Sequence, residues 1–220
     1  TKNAFNDACK KPGDIDVYSA TCGPGLIGGL LIGSTYAKSL SIGSNKPFVP
    51  INHLEGHIFS TSYNNDITYP HLSLLVTGGH TQIYLTKNIN SIDLIGDTID
   101  DAVGEAFDKV AKLLGLPYPG GKEIEERAKK GDEKKFKLPL PLIKKDNFNF
   151  SFSGLKTAVN LTLKKNVINE KIINDMCASF QKCIAEILYF KLKKTIHTLI
   201  EDNINITSVS LVGGVANNRY

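Results

Sequence analysis

The chain has 220 residues, 41% hydrophobic and 22% charged, a balance typical of one large or two small globular domains. Its net charge of +4 permits an anionic partner such as RNA without requiring one. No apolar run approaches the ~20 residues that span a bilayer, and residues 1–11 lack the apolar core of a signal peptide. No CxxC pair occurs, so we expect reduced thiols and a cytoplasmic protein, the cysteines being Cys9, Cys22, Cys177 and Cys183.

The first 52 residues alternate between strand and helix patterns. Residues 15–20 (IDVYSA) predict a buried strand, and residues 21–25 predict a turn. Residues 26–40 carry an apolar helical pattern, and residues 47–52 (PFVPIN) predict a second strand. This order favours an α/β fold.

A second group of strands follows. Residues 72–79 end in two glycines and lead directly into residues 80–88, so the two predict a hairpin, with a third strand at 91–97. These strands predict a mixed sheet with an antiparallel portion. Residues 208–214 again form an apolar strand pattern that ends in two glycines.

Helical patterns occupy most of the remaining chain. Residues 101–114 have an apolar helical period; Asp100 and Asp101 are expected to cap its start, and Gly115 to end it. Further helices are predicted at 122–130, after Ser153 and at 170–201. Residues 116–150, rich in proline and lysine, predict a surface excursion, for which a solvated face is favoured over RNA contact.

Glycine motifs suggest where a nucleotide could bind. Residues 23–28 match GxGxxG, but no acidic residue lies between Asp16 and Glu55 to hold a ribose, so a tight turn with close packing is the favoured interpretation. No GxxxxGK[ST] motif occurs. The double-glycine turns VTGGHT and LVGGVANN therefore become the candidates for close approach of backbone N–H groups to a phosphate.

His53 and His57 lie four residues apart, so one helix face would present both to a metal. Glu55 would lie about 200° from His53 on a helix, which disfavours the water-activating role of HExxH proteases. Two imidazoles do not complete a catalytic site. The third ligand stays open among His71, His80, Asp97 and an acid beyond Tyr220.

Six segments occur in one order along the chain: GPGLIGGLLIG, NHLEGH, LLVTGGHTQ, DDAVGEAFDKVAKLLGLPYPGG, FSFSGLKTA and LVGGVANNR. Together they resemble the TsaD family of tRNA N6-adenosine threonylcarbamoyltransferases, formerly called O-sialoglycoprotein endopeptidases. The resemblance implies an actin/Hsp70/sugar-kinase (ASKHA) fold of two ribonuclease-H-like lobes. It also implies transfer of threonylcarbamoyl from threonylcarbamoyl-AMP to the adenosine beside the anticodon, in tRNAs reading codons that begin with A, and one iron or zinc ion per subunit.

The resemblance also assigns roles to residues. It makes His53 and His57 metal ligands, while no residue stands out as a general base. Asn218 rather than Asn217 is matched to the binding asparagine because it directly precedes Arg219, and Glu125 is matched to an acid that only some members possess. The residues matched to nucleotide contacts are Leu75, Val76, Thr77, Gly78, Gly79, Asp108, Gly121, Glu125 and Asn218.

The chain departs from the family pattern at both ends. It begins at Thr1 and lacks the family's first strand and turn and its C-terminal metal-binding aspartate, so we expect a fragment that is inactive alone. Residues 1–70 would be the remainder of the first lobe and residues 71–220 part of the second. The resemblance implies TsaB- and TsaE-like partners in a bacterium. The alternatives are a non-catalytic nucleotide-binding subunit and, third, a metal-dependent glycoprotease.

Overall fold

The computed structural model describes residues 1–63 and 67–220. The chain divides into two compact units, Thr1–Tyr63 and Asn64–Tyr220. This division lies seven residues before the domain boundary predicted from the sequence, at 70/71. The assignment of the units to two lobes of one family fold stays a prediction.

The first unit is built around two strands joined by a helix, which is the order that the sequence predicts. In chain order it contains α1 (Lys2–Asp7), β1 (Tyr18–Gly23), α2 (Ile27–Ser44), β2 (Phe48–Asn52) and α3 (His53–Phe59), with single 3₁₀ turns at Pro12–Asp14 and Ser60–Tyr63. Strands β1 and β2 pair in parallel, with Tyr18 opposite Phe48. Helix α2 ends where Asn45 takes a left-handed conformation, with φ of 53°.

Strand β1 differs from its prediction in two respects. It begins at Tyr18 instead of residue 15 and extends through Gly23, because its pairing with β2 starts where the Tyr18 N–H donates to the Pro47 carbonyl at 3.0 Å. It is also largely accessible, and Tyr18 is its one buried residue.

The expected close packing at the glycine turn is found only at Gly25, where φ is +153° and a Cβ would lie 3.4 Å from the Leu30 side chain. A Cβ at Gly23 or Gly28 would meet no described atom within 4 Å apart from its chain neighbours and, for Gly28, its own helix.

From residue 67 onward, the second unit contains one four-stranded sheet and four α-helices. Its elements are β3 (His71–Val76), β4 (Thr81–Asn88), β5 (Ser91–Asp97), α4 (Val103–Leu113), α5 (Gly120–Ala128), α6 (Ser153–Leu163), α7 (Glu170–Glu201) and β6 (Ser208–Val212), followed by a 3₁₀ turn at Gly214–Asn217. The sheet order is β5-β4-β3-β6. Strand β3 is antiparallel to β4, β4 to β5, and β6 is parallel to β3.

This arrangement confirms the predicted mixed sheet and the α/β fold class. Three consecutive antiparallel strands with a fourth, parallel strand beside the first is the strand order expected of a ribonuclease-H-like lobe. Helix α7 has the predicted limits, whereas α5 begins and ends two residues earlier than predicted.

The core of this unit lies between the sheet and its helices. Phe107 on α4 meets Phe180 on α7 edge to face, with ring centroids 5.1 Å apart. The apolar positions predicted to line one face of α4 are all buried: Val103, Phe107, Val110 and, directly after the helix, Leu114. Among the described residues, no helix combines the length and the apolar character needed to cross a membrane.

Asp100 has a different role from the predicted helix cap. Helix α4 begins after Ala102, without a side-chain cap. The Asp100 carboxylate instead accepts hydrogen bonds from the hydroxyls of Ser151 and Ser153 and from the backbone N–H groups of Phe152 and Ser153, at 2.6–3.1 Å. Burial would raise the pKa of Asp100, but these donors together hold it below its ordinary value. The carboxylate thus fixes the start of α6 to the loop before α4.

Candidate functional site

The two double-glycine turns lie side by side at one edge of the sheet. Because β3 and β6 run in parallel with Leu75 opposite Val212, both strands deliver their turns to the same edge. Gly213 has φ of +103°, and a Cβ there would collide with the Val76 carbonyl oxygen. Only glycine therefore suits this position.

Thr77 holds the first turn closed. Its N–H donates to the His80 carbonyl at 2.8 Å, and its hydroxyl oxygen accepts from the N–H groups of His80 at 2.9 Å and Gly79 at 3.3 Å. The Gly78 N–H donates to no group in the described residues. A fixed turn with an uncommitted N–H is a suitable donor for a bound anion.

Helix α4 approaches the first turn through Gly104. Its N–H donates to the Thr77 carbonyl at 3.2 Å. A Cβ at Gly104 would lie 2.6 Å from the Cα of Gly78, closer than any side chain tolerates. The α4 backbone can therefore pack directly against the turn, which brings Asp108, one helical turn further on, toward the same region.

Asp108 links α4 to α5. Its Oδ1 atom accepts a hydrogen bond from the Gly120 N–H at 2.8 Å, at the first residue of α5. This contact holds Gly121 in the first turn of α5 and commits one carboxylate oxygen. The second oxygen accepts from no donor among residues 1–63 and 67–220, so it can bind another one.

Glu125 and Asn218 close the opposite side. The Glu125 Oε1 atom accepts from the Arg219 N–H at 3.1 Å, which joins α5 to the segment after β6. The Asn218 amide donates to Gln181 Oε1 on α7 at 2.8 Å. Its own oxygen accepts from the Tyr220 N–H at 3.0 Å, so the Asn218 side chain has a fixed orientation.

These elements enclose a cavity of about 470 Å³, within the range usual for small-molecule sites. Five of the predicted nucleotide contacts line it: Gly78, Asp108, Gly121, Glu125 and Asn218. Asn217 also lines it, so the cavity does not distinguish the two asparagines as contacts. The sequence reasoning did not identify the other lining residues, which are Gly104, Phe107, Tyr118, Pro119, Lys122, Gly214 and Val215. All seven lie within four residues of a predicted contact, and that proximity is the signal that could have identified them.

The other predicted contacts do not line this cavity. Leu75 and Val76 are buried within β3, and Val76 borders a neighbouring apolar cavity of about 380 Å³. Thr77 and Gly79 belong to the turn itself. Their roles in binding stay predictions, and in this structure they support the turn that presents Gly78.

The predicted metal ligands lie in the first unit. Asn52 caps α3 through its side-chain oxygen, which accepts from the N–H groups of Leu54 at 2.8 Å and Glu55 at 3.4 Å. The rings of His53 and His57 lie with centroids 4.7 Å apart, one helical turn from each other. Two neighbouring imidazoles fit part of the donor set of iron or zinc.

A complete ligand set is not found. Within residues 1–63 and 67–220, no three His, Cys, Asp or Glu side chains form a group that could hold a metal. His71, one candidate for the third ligand, is engaged elsewhere: its ring nitrogens lie 2.6 Å from Ser208 Oγ and 2.8 Å from Ser210 Oγ. The role of His53 and His57 as metal ligands therefore stays a prediction, and the third ligand stays unassigned.

Two solved structures share a general likeness over nearly the whole chain. One is component A of (R)-2-hydroxyglutaryl-CoA dehydratase from Acidaminococcus fermentans, with a TM-score of 0.48 and 15% identity over 97% of this chain and 67% of that one. The other is the activator of 2-hydroxyisocaproyl-CoA dehydratase from Clostridium difficile with bound ADPNP, with a TM-score of 0.47 and 14% identity over 99% of this chain and 66% of that one.

Sequence similarity is far stronger to one family. A protein named tRNA N6-adenosine threonylcarbamoyltransferase from Rickettsia conorii is 50% identical over all of this chain, and one of the same name from Rickettsia bellii is 49% identical. The chain spans 64% and 65% of the length of these two relatives. The family model described as TsaD, tRNA N6-adenosine threonylcarbamoyltransferase, matches residues 1–220. The chain belongs to the TsaD family.

Proposed function

We propose that the full-length protein transfers the threonylcarbamoyl group from threonylcarbamoyl-AMP to the N6 amine of the adenosine next to the anticodon, in tRNAs that read codons beginning with A. Family membership supports this activity. The observation that carries the proposal is the cavity of about 470 Å³ in which five predicted nucleotide contacts meet. The volume and the mixture of backbone donors and carboxylates suit one mononucleotide.

The cavity's residues divide the work of holding the adenylate. The Gly78 N–H, in the turn fixed by Thr77, would donate to the phosphate. The second oxygen of Asp108 and the Glu125 carboxylate would accept from ribose hydroxyls. Because these groups are fixed before the substrate arrives, they would hold the acyl carbon in position for attack.

The reaction then exchanges one bond for another. The adenosine N6 forms a bond to the carbamoyl carbon and gives up one proton. The bond between that carbon and the phosphate oxygen breaks, and AMP leaves with the electron pair. The N–H donors at the glycine turn would stabilise the charge on the leaving phosphate.

His53 and His57 would hold the metal through their imidazole nitrogens, together with a third ligand. When bound, iron or zinc supplies Lewis-acid polarisation of an acyl oxygen. TsaB- and TsaE-like proteins as partners, and the cytoplasm as location, belong to the same proposal; the rickettsial origin of the relatives supports bacterial partners.

A non-catalytic nucleotide-binding subunit is the second candidate, and the histidine pair distinguishes the two functions. A scaffold needs no metal. The rings of His53 and His57 lie 4.7 Å apart on one turn of helix, a spacing suited to binding one metal ion, and this favours the transferase. A glycoprotease is third, because Glu55 follows the first histidine by two residues and not one.

The test is a transfer assay with purified adenylate, unmodified tRNA and the TsaB- and TsaE-like partner proteins, together with elemental analysis of the full-length protein. The variant His53→Ala should lose the metal and reduce transfer at least about a hundredfold. The control is His197→Ala, at an exposed histidine whose recorded partner is Glu201 at 3.3 Å, and it should retain both. Retention of the metal by His53→Ala would refute the ligand assignment. Nucleotide binding without transfer by the wild-type protein would favour the scaffold.

A further inference from the structure

One segment concentrates the positive charge of the molecule. Residues 129–145, here called the lysine strap, contain seven lysines against one aspartate and one glutamate, a net charge of +5. The whole chain has a net charge of +4, so everything outside the strap sums to −1. The mildly basic composition is therefore a local feature of one segment, not a property of the whole surface.

The lysine strap is fixed along one side of α7. At one end the Asp132 N–H donates to Asp175 Oδ1 at 2.8 Å, and at the other end Lys194 Nζ donates to the Lys145 carbonyl at 2.9 Å. Between them the Phe136 N–H donates to Ser179 Oγ at 3.1 Å. Asp175 and Lys194 are 19 positions apart on α7, which corresponds to about 28 Å of helix.

Two acids in or directly after the lysine strap are paired with lysines of α7, whereas the exposed Asp132 has no ion-pair partner among the described residues. Glu133 pairs with Lys182 at 2.9 Å, and Asp146 pairs with Lys194 at 2.7 Å. In the part of the chain that the structure describes, six exposed lysines of the strap have no carboxylate within ion-pair distance: Lys130, Lys134, Lys135, Lys137, Lys144 and Lys145. A row of uncompensated ammonium groups thus lies along the strap.

The apolar residues of the lysine strap face inward. Leu138 is buried, and Phe136 and Leu140 pack against the core of the second unit. The accessible side chains are therefore mainly lysines. A protein partner would need an apolar interface centre, whereas a phosphate backbone needs only regularly placed cations. The surface favours a nucleic acid over an acidic protein.

We infer that the lysine strap binds the phosphate backbone of the tRNA whose adenosine is modified. The inference rests on the proposed function, and the location of the strap fits it: Glu125 lines the nucleotide cavity, and the strap begins four residues later, one helical turn along α5. Contacts to phosphates set the position of an RNA without reading its sequence. The strap would hold different tRNAs in one orientation while the adenosine reaches the cavity.

The test compares two sets of four lysines in the full-length protein. The strap variant carries Gln at Lys134, Lys135, Lys144 and Lys145. The control carries Gln at Lys112, Lys156, Lys164 and Lys165. These lysines are also exposed and have no carboxylate partner among the described residues, and both variants lose the same charge. Binding of an unmodified tRNA transcript is measured by fluorescence anisotropy from 50 to 300 mM KCl, and nucleotide binding serves as the control for folding.

The strap variant should bind tRNA at least about tenfold more weakly at 100 mM salt. The slope of log K against log [salt] should fall in magnitude by about 3, since each lost phosphate contact contributes about 0.7–0.9. Transfer should show a raised KM for tRNA with kcat retained. The smaller variant Lys144→Gln/Lys145→Gln should give about half the change in slope, so a folding defect in the larger variant leaves the inference testable.

Two outcomes would overturn the inference: equal loss of tRNA binding in the control variant, or unchanged tRNA binding by the strap variant. If the strap variant instead lost an acidic protein partner, the second outcome would assign the strap to that partner. The proposed function fails separately. If wild-type protein binds tRNA in a strap-dependent manner but transfers nothing, the strap assignment stands and the transferase assignment does not.

Discussion

Helices α2 and α4 show how differently the two units of this chain bury apolar residues. Helix α4 places its apolar side chains on one face and buries them, with Val103 fully covered and Phe107 4% exposed. Helix α2 has apolar residues on all sides, and Ile27 is 80% and Ile32 75% exposed. A helix that is apolar all round needs cover on every face, which the described residues do not provide.

The sheet of the second unit is also better covered than the sheet of the first. The second unit pairs four strands and packs them against helices, whereas the first has two strands, and a two-stranded sheet is marginal by itself. Local opening requires least free energy where few apolar contacts are lost. We therefore expect the first unit to open far more readily than the second.

The largest expected difference between the units is the rate at which their cysteines react. Each unit contains two of the four cysteines. Cys9 and Cys22 are exposed, whereas Cys177 and Cys183 are buried in α7. Burial raises the pKa of Cys177 and of Cys183 to about 12, so at pH 8 only about one in ten thousand of these thiols is the reactive thiolate. Labelling with a thiol reagent should modify two cysteines at least about a thousandfold faster than the other two.

The matched control for the labelling experiment is the double variant Cys9→Ser/Cys22→Ser. It should lose the fast phase entirely and keep the slow one. A fast phase that persists in this variant would mean that α7 opens as readily as the first unit, and the contrast would be wrong.

A core truncation should give the next largest effect. Phe180 is fully buried and meets Phe107 edge to face, so Phe180→Ala should lower the free energy of unfolding by about 3–5 kcal/mol. Ile32→Ala, at a position 75% exposed, should change it by less than about 0.5 kcal/mol. Urea denaturation followed by circular dichroism measures both. A large loss from Ile32→Ala would show that α2 is covered in solution.

Elements with a clear hydrophobic period were predictable from the sequence. Helix α7 has its predicted limits. Two apolar runs around a glycine pair predict the hairpin of β3 and β4, and the structure confirms it. Asp100 shows why local reasoning fails elsewhere: its neighbours in sequence suggest a helix cap, but its donors lie 51–53 residues away. Nothing in the spacing of the chain specifies such a contact.

In the candidate site, too, the local motifs were predictable from the sequence and the long-range contacts were not. The double-glycine turns were identifiable, but their meeting depends on the parallel pairing of β3 with β6, more than 130 residues apart. Residues such as Tyr118 and Lys122 line the cavity because the Asp108 contact fixes the start of α5. The start of β1 was wrong for a related reason, since its pairing with β2 sets where the strand begins.

The smallest expected effect is a pH dependence confined to the second unit. His71 is buried at the β3–β6 pairing, and burial lowers its pKa below the ordinary value near 6.5. The unfolded chain therefore takes up a proton near pH 6.5 that the folded chain resists, so stability is full above that pH and falls as the pH drops. The decline should stay below about 1.4 kcal/mol per pH unit. Urea titrations from pH 8 to 5.5 measure the free energy of unfolding. Its decline with falling pH should be flatter in His71→Gln and unchanged in the exposed control His197→Gln. If His71→Gln declined as steeply as the wild type, other groups would cause the decline.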